Sequence, residues 1–289
     1  MDVSIIITSH NTKELLSRSL ASIYRSLESV SFTFEIIVVE NASTDGTIEM
    51  IQNKFPKVIL LINNKNEGFG KANNQGIQKG NGEFIVLLNS DTQIKNQAIQ
   101  KLLTFSKSHV KSFVGPKLLN PDGTTQTSCG PFFSLPIIFA TLFLKGDILG
   151  LTRWSPGTIQ KVDWVSGACL IASKKNFLDG LLFDEDIFMY MDEIDLLYRA
   201  KMKGYDVYFY PQARVIHVGS GSSVDKRKTP IMNIYRGLQL LYKKHYPGWQ
   251  MPILRGMLQC KAFMAIFVGI LTGNKEVTHT YEEATRLVQ

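Results

Sequence analysis

Cysteine is scarce. Cys129, Cys169 and Cys260 are the only three in 289 residues, widely spaced and odd in number. That excludes a disulfide framework and a CxxC metal cluster, and it favours a reducing compartment. Acidic residues are missing altogether from 226 to 275, where nine Lys/Arg stand, so the formal charge of +7 is concentrated in that stretch. The rest of the chain holds 23 basic and 25 acidic side chains and is near neutral. No basic segment leads into the apolar run at Val3–Thr8, so no secretory signal is expected. There is no internal repeat and no low-complexity linker. Gly68-Phe69-Gly70 lacks the spacing of a dinucleotide fingerprint or a P-loop, and no Gly-x-Ser-x-Gly elbow occurs. A Rossmann-type NAD site and serine hydrolase chemistry are therefore unsupported. With 44% hydrophobic and 20% charged residues the composition is globular, which argues against disorder, collagen-like sequence and a coiled coil.

What is present is alternation. Val3–Thr8 is β-branched with no polar face, as expected of a strand covered on both sides. Leu15, Leu16, Leu20, Ile23 and Leu27 then recur at helical spacing after Asn11 and Thr12. Strands are expected at Phe34–Glu40, Val58–Ile62 and Phe84–Leu88, with helices between them through about Lys54 and over Lys71–Lys79. Such a βαβ series predicts a mostly parallel, Rossmann-like sheet flanked by helices, with ligands beyond the carboxyl ends of the strands. Polar clusters fall at those ends: Thr8-Ser9-His10-Asn11, Glu40-Asn41 and Asn89-Ser90-Asp91.

After about Gly115 the pattern changes. Asn120-Pro121-Asp122-Gly123 is a turn signal, and Ser128–Ser155 reads as irregular. A strand broken at Ser166-Gly167 is expected over Trp164–Ala172, a helix over Glu193–Lys203, strands at Asp206–Tyr210 and Arg214–Val218, and a helix over Thr229–His245.

Three features carry candidate chemistry. Asp91 follows an apolar strand, where a carboxylate can reach Mg²⁺ or Mn²⁺; on the tripeptide alone, a strand end or helix cap is the commoner role. Asp184, Glu185, Asp186, Asp192, Glu193 and Asp195 are threaded through Phe183 to Met191, which no ordinary solvated face would be. An ionised carboxylate there could act as general base on an acceptor hydroxyl, although an acidic helix start explains it equally well. His217 ends a strand ahead of Gly219-Ser220-Gly221-Ser222-Ser223, small residues that suit backbone contact with a phosphate, with Lys226, Arg227 and Lys228 beyond.

The ordered set resembles the family 2 inverting glycosyltransferases of the GT-A fold, in particular the rhamnosyltransferase-like branch, over roughly residues 3 to 245. The segments concerned are Val3–Asn11, Ile37–Thr47, Asn66–Asn74, Leu87–Thr92, Asn120–Thr124, Val165–Ala168, Phe188–Leu196 and Val215–His217. The resemblance implies a catalytic domain at 1–228, with a nucleotide-sugar half (1–115) and an acceptor half (116–228), followed by a helical appendage at 229–289. It also implies that Thr8, Ser9, Asn11, Glu40, Asn41, Asp45, Asn66, Gly68, Asn73, Asn89 and Ser90 bind a dTDP- or UDP-sugar. Asp91 and His217 would hold the divalent cation. Glu193 would be the base, with Asp192 the alternative. The family commonly has Asp at positions 40 and 89, where this chain has Glu40 and Asn89.

The implied activity is metal-dependent transfer of L-rhamnose, or of a hexose, to a glycan or lipid-linked acceptor in cell-surface polysaccharide synthesis. A sugar nucleotidyltransferase and a non-catalytic glycan-binding relative are the rival readings. Pro252–Thr272 is apolar but carries Arg255, Gln259 and Lys261, and its charge-free part is short of the ~20 residues a span needs. An interfacial helix at the inner face of the cell membrane is expected, a helix packed on the domain or in a dimer interface being the alternative. Nucleic acid is not an expected partner.

Overall fold

The computed structural model describes residues 1–219 and 228–288. Its first half follows the predicted alternation: β1 (Val3–Ser9), α1 (Lys13–Ser26), β2 (Phe34–Glu40), α2 (Thr47–Lys54), β3 (Ile59–Ile62), α3 (Phe69–Lys79) and β4 (Phe84–Asn89). Next come β5 (Thr92–Lys95), α4 (Ala98–Lys107), β6 (Ser112–Leu119), β7 (Thr125–Gln126) and β8 (Cys129–Gly130). These lead to α5 (Leu135–Phe143), β9 (Gln160–Lys161), β10 (Trp164–Val165), β11 (Cys169–Ser173) and α6 (Lys174–Leu178). The chain ends in α7 (Asp192–Met202), β12 (Asp206–His217), α8 (Lys228–His245), α9 (Gln250–Leu271) and α10 (Lys275–Arg286).

The central sheet runs β3-β2-β1-β4-β11-β6-β12-β5. Strands β3, β2, β1 and β4 are parallel neighbours, β11 lies antiparallel between β4 and β6, β12 is parallel to β6, and β5 closes the edge antiparallel to β12. Side chains on a strand alternate between faces. Ile5, Ile7, Val38, Val86 and Leu88 accordingly join Leu16, Leu20 and Leu102 in one core, while Ile6, Ile37, Val39, Ile85 and Leu87 join Ala72, Ile77, Ile194 and Leu197 in the other. Burial on both faces is why these strands read as continuous apolar runs. Tyr235, Leu238, Leu254, Leu258 and Ala284 belong to the second core, so α8, α9 and α10 are packed into the same interior as the sheet.

Several elements depart from expectation. Two predicted strands are one: β12 runs unbroken from Asp206 to His217, with its register against β6 shifting between Tyr210 and Arg214. The stretch read as irregular contains β8 and α5. LPIIFATLF is apolar nearly throughout, so it shows no 3.6-residue alternation, and Pro136 in its first turn is compatible with a helix start. α10 lies within the helical appendage expected at 229–289, although it was not expected as a separate helix. The apolar C-terminal helix begins at Gln250.

Gly76 shows how tightly α3 is seated on β1: a Cβ there would overlap Ile6 Cγ2, which is fully buried. Gly256 in α9 has open space at the same position. Alanine normally stabilises a helix interior over glycine, by about 0.5–1 kcal/mol. Gly256→Ala should do so, whereas Gly76→Ala should cost about 1–3 kcal/mol through overpacking. Denaturant midpoints measure both, and a stabilised Gly76→Ala would refute this packing.

Candidate active site

Parallel registry brings the polar strand ends together. Ser9 lies beside Glu40 across β1–β2, and Thr8 beside Asn89 across β1–β4. Thr12 Oγ1 donates to Ser90 Oγ at 2.9 Å and lies 3.0 Å from Ser9 Oγ, tying two of these ends into one floor. Asn41 lies under the cleft with its Nδ2 donating to Gly68 O (3.2 Å) and its Oδ1 accepting from Asn63 Nδ2 (2.8 Å). Gly68 has φ +86°, and a Cβ on it would come within 2.7 Å of Phe188 O. Only glycine fits there, and the fit lets the 66–68 loop close on the 188–190 segment, where Phe69 N–H donates to Phe188 O (2.9 Å).

A second convergence comes from the edge of the sheet. β12 ends antiparallel to β5 with His217 opposite Thr92, and Val218 N–H donates to Asp91 O (3.0 Å). His217 Nε2 is thereby 3.4 Å from Asp91 Oδ1. The other ring nitrogen, Nδ1, is 2.8 Å from Gln126 Oε1. Gln126 Nε2 donates to Asn120 Oδ1 (3.1 Å), so its oxygen is the atom turned to the imidazole, and Nδ1 must carry the proton. Nε2 is the ring nitrogen turned toward Asp91. The Asn120–Thr124 turn holds this arrangement, with Asp122 Oδ1 accepting from Thr124 N (2.9 Å) and Thr124 Oγ1 (2.6 Å).

The third contribution is the start of α7. Tyr190 (φ +67°) and Met191 (φ +66°) are successive left-handed residues, an uncommon conformation for bulky side chains. They turn the chain so that Asp192 and Glu193 reach the cleft from the helix N-terminus. Gly167 N–H approaches Glu193 Oε1 at 3.4 Å from the β10–β11 connection. Asp192 is 3% exposed, and its Oδ2 is buried without a hydrogen-bond partner. Burial, reinforced by the neighbouring Glu193 carboxylate, holds the Asp192 carboxyl well above the usual carboxylate range.

The cleft between these parts has a volume of about 400 Å³. Thr8, Ser9, Asn41, Asn66, Gly68, Asn89, Ser90, Asp91, Asp192, Glu193 and His217 all line it. Asn11, Glu40, Asp45 and Asn73 do not. Glu40 is fully buried, and both its oxygens accept from Ser43 N (2.9 and 3.1 Å). Asn11 links the first loop to the second through Ser43 Oγ and Thr44 N, both at 2.8 Å. Asp45 accepts from Lys13 N (2.9 Å) and Thr47 Oγ1 (2.5 Å); burial raises its pKa, but these bonds outweigh that and hold it low. Asn73 points back along α3 to Phe69 O (3.0 Å).

In the acidic concentration around α7, only Asp192 and Glu193 face the cleft. Asp184 and Asp186 pair with Lys244, and Asp195 with Arg199 (2.8 Å) and His245 (2.6 Å). The glycine-serine stretch after Gly219, with Lys226 and Arg227, lies outside the described residues. His10, Ser166, Phe188, Tyr190 and Thr229 also line the cleft without having been singled out. Most sit inside recognised motifs, but nothing in their residue types assigns them a task.

Among the described residues no group of three or more His, Cys, Asp or Glu side chains is gathered to hold a metal. The donor set still fits a hard divalent ion of the Mg²⁺ or Mn²⁺ kind. Such ions commonly take one or two protein ligands and complete their shell with phosphate oxygens and water. Asp91 Oδ1 and Nε2 of His217 form such a pair of potential ligands, and Asn89 Oδ1, buried and unpartnered, lies at the same strand end.

An α/β sheet whose carboxyl edge carries an open polar cleft belongs to the class that binds its ligand at the strand ends. Comparison with known proteins narrows this class. Residues 4–133 match the family model described as Glycosyl transferase family 2. An N-acetylglucosaminyl-diphospho-decaprenol L-rhamnosyltransferase of Mycobacterium tuberculosis is 26% identical over 275 residues, covering 87% of this chain and 88% of the relative. A low-salt glycan biosynthesis hexosyltransferase of Haloferax volcanii is also 26% identical, over 78% of this chain and 69% of its own. The crystal structure of S. aureus TarS 1–349 superposes with a TM-score of 0.52 at 15% identity, covering all of this chain and 92% of that one, a likeness of fold. Over residues 4–133 the chain is thus similar to the family 2 glycosyltransferases, and its mixed α/β fold is of the GT-A type.

Asp192 makes stability depend on pH in a defined sense. Above about pH 3.8, its ordinary value, the unfolded carboxyl releases its proton while the folded one keeps it. Stability is therefore lost as pH rises. Asp192→Asn should melt at a higher temperature than wild type at pH 7, and the gap should close as the pH is lowered toward 3.8. A variant less stable than wild type at neutral pH would contradict the assignment.

Proposed function

We propose that this protein transfers a sugar from a nucleotide-sugar to a hydroxyl of a glycan or lipid-linked acceptor, with inversion at the anomeric carbon. The carrying observation is that Asp91, Glu193 and His217, far apart in sequence, line one cleft. Residues 1–115 would bind the donor and 116–228 the acceptor, with 229–289 packed alongside. Work in glycan synthesis on a lipid-linked acceptor is supported by the names of the two relatives above, and we place it at the cytoplasmic face of the membrane as part of the same reading. The first name supports L-rhamnose as the sugar moved, for which dTDP-L-rhamnose is the donor we favour; the second keeps a hexose, from a UDP-sugar, as the alternative.

The nucleotide would rest on Thr8, Ser9, Asn41, Asn66 and Gly68. Asn11, Glu40 and Asp45 act one step removed, by fixing the two loops that bear those contacts, and Asn73 by stiffening the first turns of α3. Asp91 and His217, with Asn89 and Ser90 beside them, would hold the divalent cation, which supplies Lewis-acid stabilisation of the charge developing on the departing diphosphate. Gln126 keeps His217 in the tautomer that can ligate. Burial and the neighbouring Glu193 carboxylate hold the Asp192 carboxyl well above the usual carboxylate range, which favours its keeping a proton. That leaves Glu193 to take the acceptor hydroxyl's proton as its oxygen attacks opposite the leaving group. Such assistance is typically worth ~10²–10⁴-fold. Positioning donor and acceptor in line contributes further. No covalent intermediate is required.

The test is turnover of dTDP- and UDP-sugars with Mn²⁺. Glu193→Gln should lower turnover by about 10²–10⁴-fold. Asp91→Asn should raise the Mn²⁺ concentration needed for half-maximal rate. Equal activity in wild type and both variants would refute these roles, and no turnover of any nucleotide-sugar by wild type would favour a non-catalytic relative.

A further inference from the structure

Large apolar side chains are not spread evenly over the surface. Of the twenty exposed ones among the described residues, thirteen fall in 139–151 and 249–271. The two segments adjoin. α5 packs directly against α9, and Lys261 Nζ donates to Leu142 O (3.0 Å) across the contact. α9 seals Leu254, Leu258 and Ala262 inward and turns Phe263 (63% exposed) and Phe267 (63%) outward. The turn after α5 exposes Ile148 (80%) and Leu149 (66%). A patch of this density on a protein surface marks an interaction site. By length and mean hydropathy (1.6) α9 could cross a membrane, but its inward stripe is packed against the protein core, which leaves it lying along the surface.

The charges around the patch select its occupant. Lys145 and Arg153 flank the α5 turn, and Arg255 lies on the exposed side of α9. Asp147, the one acid between 135 and 153, accepts from the Thr152 hydroxyl. Acids enter on the other side of α9, where Glu276 shares a groove with Met264 and Val268 and Glu282 one with Ile270, so the cationic border of the patch lies toward α5 and the start of α9. Two copies meeting through this face would oppose like charges across a symmetric contact. An anionic lipid surface would meet an apolar centre bordered by cations.

We propose that α5 with its 144–151 turn, and not α9 alone, forms the face that enters the headgroup region of an anionic bilayer. The proposal deepens the reading of a membrane-face transferase and rests on it for what the surface brings within reach. α5 belongs to the 116–228 half, so the acceptor side of the catalytic domain would itself sit on the lipid.

Sedimentation of the full chain with phosphatidylcholine vesicles, with and without phosphatidylglycerol, tests this. Wild type should pellet with the anionic vesicles at low salt and be released by high salt. The paired changes Ile148→Asp with Leu149→Asp, and Phe263→Asp with Phe267→Asp, should each weaken binding about tenfold or more, since each removes inserted apolar groups. Loss in the α9 pair alone would overturn the role of α5 and leave membrane attachment through the C-terminal helices standing. Wild type remaining in the supernatant, with a dimer in solution that both pairs dissociate, would overturn the lipid assignment in favour of self-association. Hydrolysis of nucleotide-sugar by each variant in the absence of vesicles shows that the cleft is folded, and its absence in wild type would count against the transferase reading and not against the surface.

Discussion

His217 faces Asp91 because β12 ends antiparallel to β5, with His217 opposite Thr92 and the Val218 amide fixed to the Asp91 carbonyl. A one-residue slip of this strand would turn the imidazole to the other face of the sheet. The register is protected upstream. Asp206 to Tyr210 pair in step with Ser112 to Pro116, the ladder shifts, and Arg214 resumes opposite Lys117. The irregularity therefore resets which side chains face inward before the strand reaches its functional end, as bulges near active sites do. Gln126, on β7 beside the same β6, then selects the imidazole tautomer. Strand geometry and imidazole orientation are settled by one small group of neighbours.

The start of α7 gives up stability for position. Two bulky residues in the left-handed region cost on the order of 1–3 kcal/mol each, and a buried carboxyl without a partner adds to that. The surroundings over-determine the turn. Gly237 leaves room for Met191, whose Cβ lies 2.9 Å from where a Gly237 Cβ would stand, and Asp195 N–H donates to Met191 O (2.9 Å). One turn on, Asp195 is fully buried but paired on both sides by Arg199 and His245. The two carboxyl groups differ in their partners: both oxygens of Asp195 are paired, whereas Asp192 leaves Oδ2 without a hydrogen bond. Local rules are broken at 190–192 and kept around it, the pattern expected where function competes with stability.

Much of this was legible in the sequence for physical reasons. Strands β1, β2 and β4 are buried on both faces, so their apolar runs were unambiguous, and the polar residues at their ends marked where a ligand could approach. What the sequence concealed was indirect action. Glu40, Asn11 and Asp45 were expected at the nucleotide, yet each spends its hydrogen bonds on loop backbone, which residue type alone does not distinguish. α5 was hidden because a helix apolar on nearly all sides has no period to detect. The Asn120–Gly123 turn was read correctly as a turn, but its use, holding Gln126 against His217, depends on a pairing between β7 and β12 ends that lie 91 residues apart.

The charge inventory of the cleft bears on what can enter it. Its described lining contains the carboxylates of Asp91, Asp192 and Glu193 and no Lys or Arg. Two like charges 4 Å apart repel by about 1 kcal/mol in water and about 4 kcal/mol at the dielectric typical near a protein surface. A diphosphate approaching three ionised carboxylates would be strongly opposed. Two features relieve this. Asn89 stands where the resemblance would lead one to expect Asp, and burial holds the Asp192 carboxyl well above the usual carboxylate range. Both lower the negative charge while retaining oxygen atoms at the site, with Asp91 beside His217 and Glu193 beside the Gly167 amide. The asparagine and the buried carboxyl thus have the same physical effect, a weaker repulsion of any anion that enters the cleft, which is what the proposed transfer from a nucleotide-sugar requires.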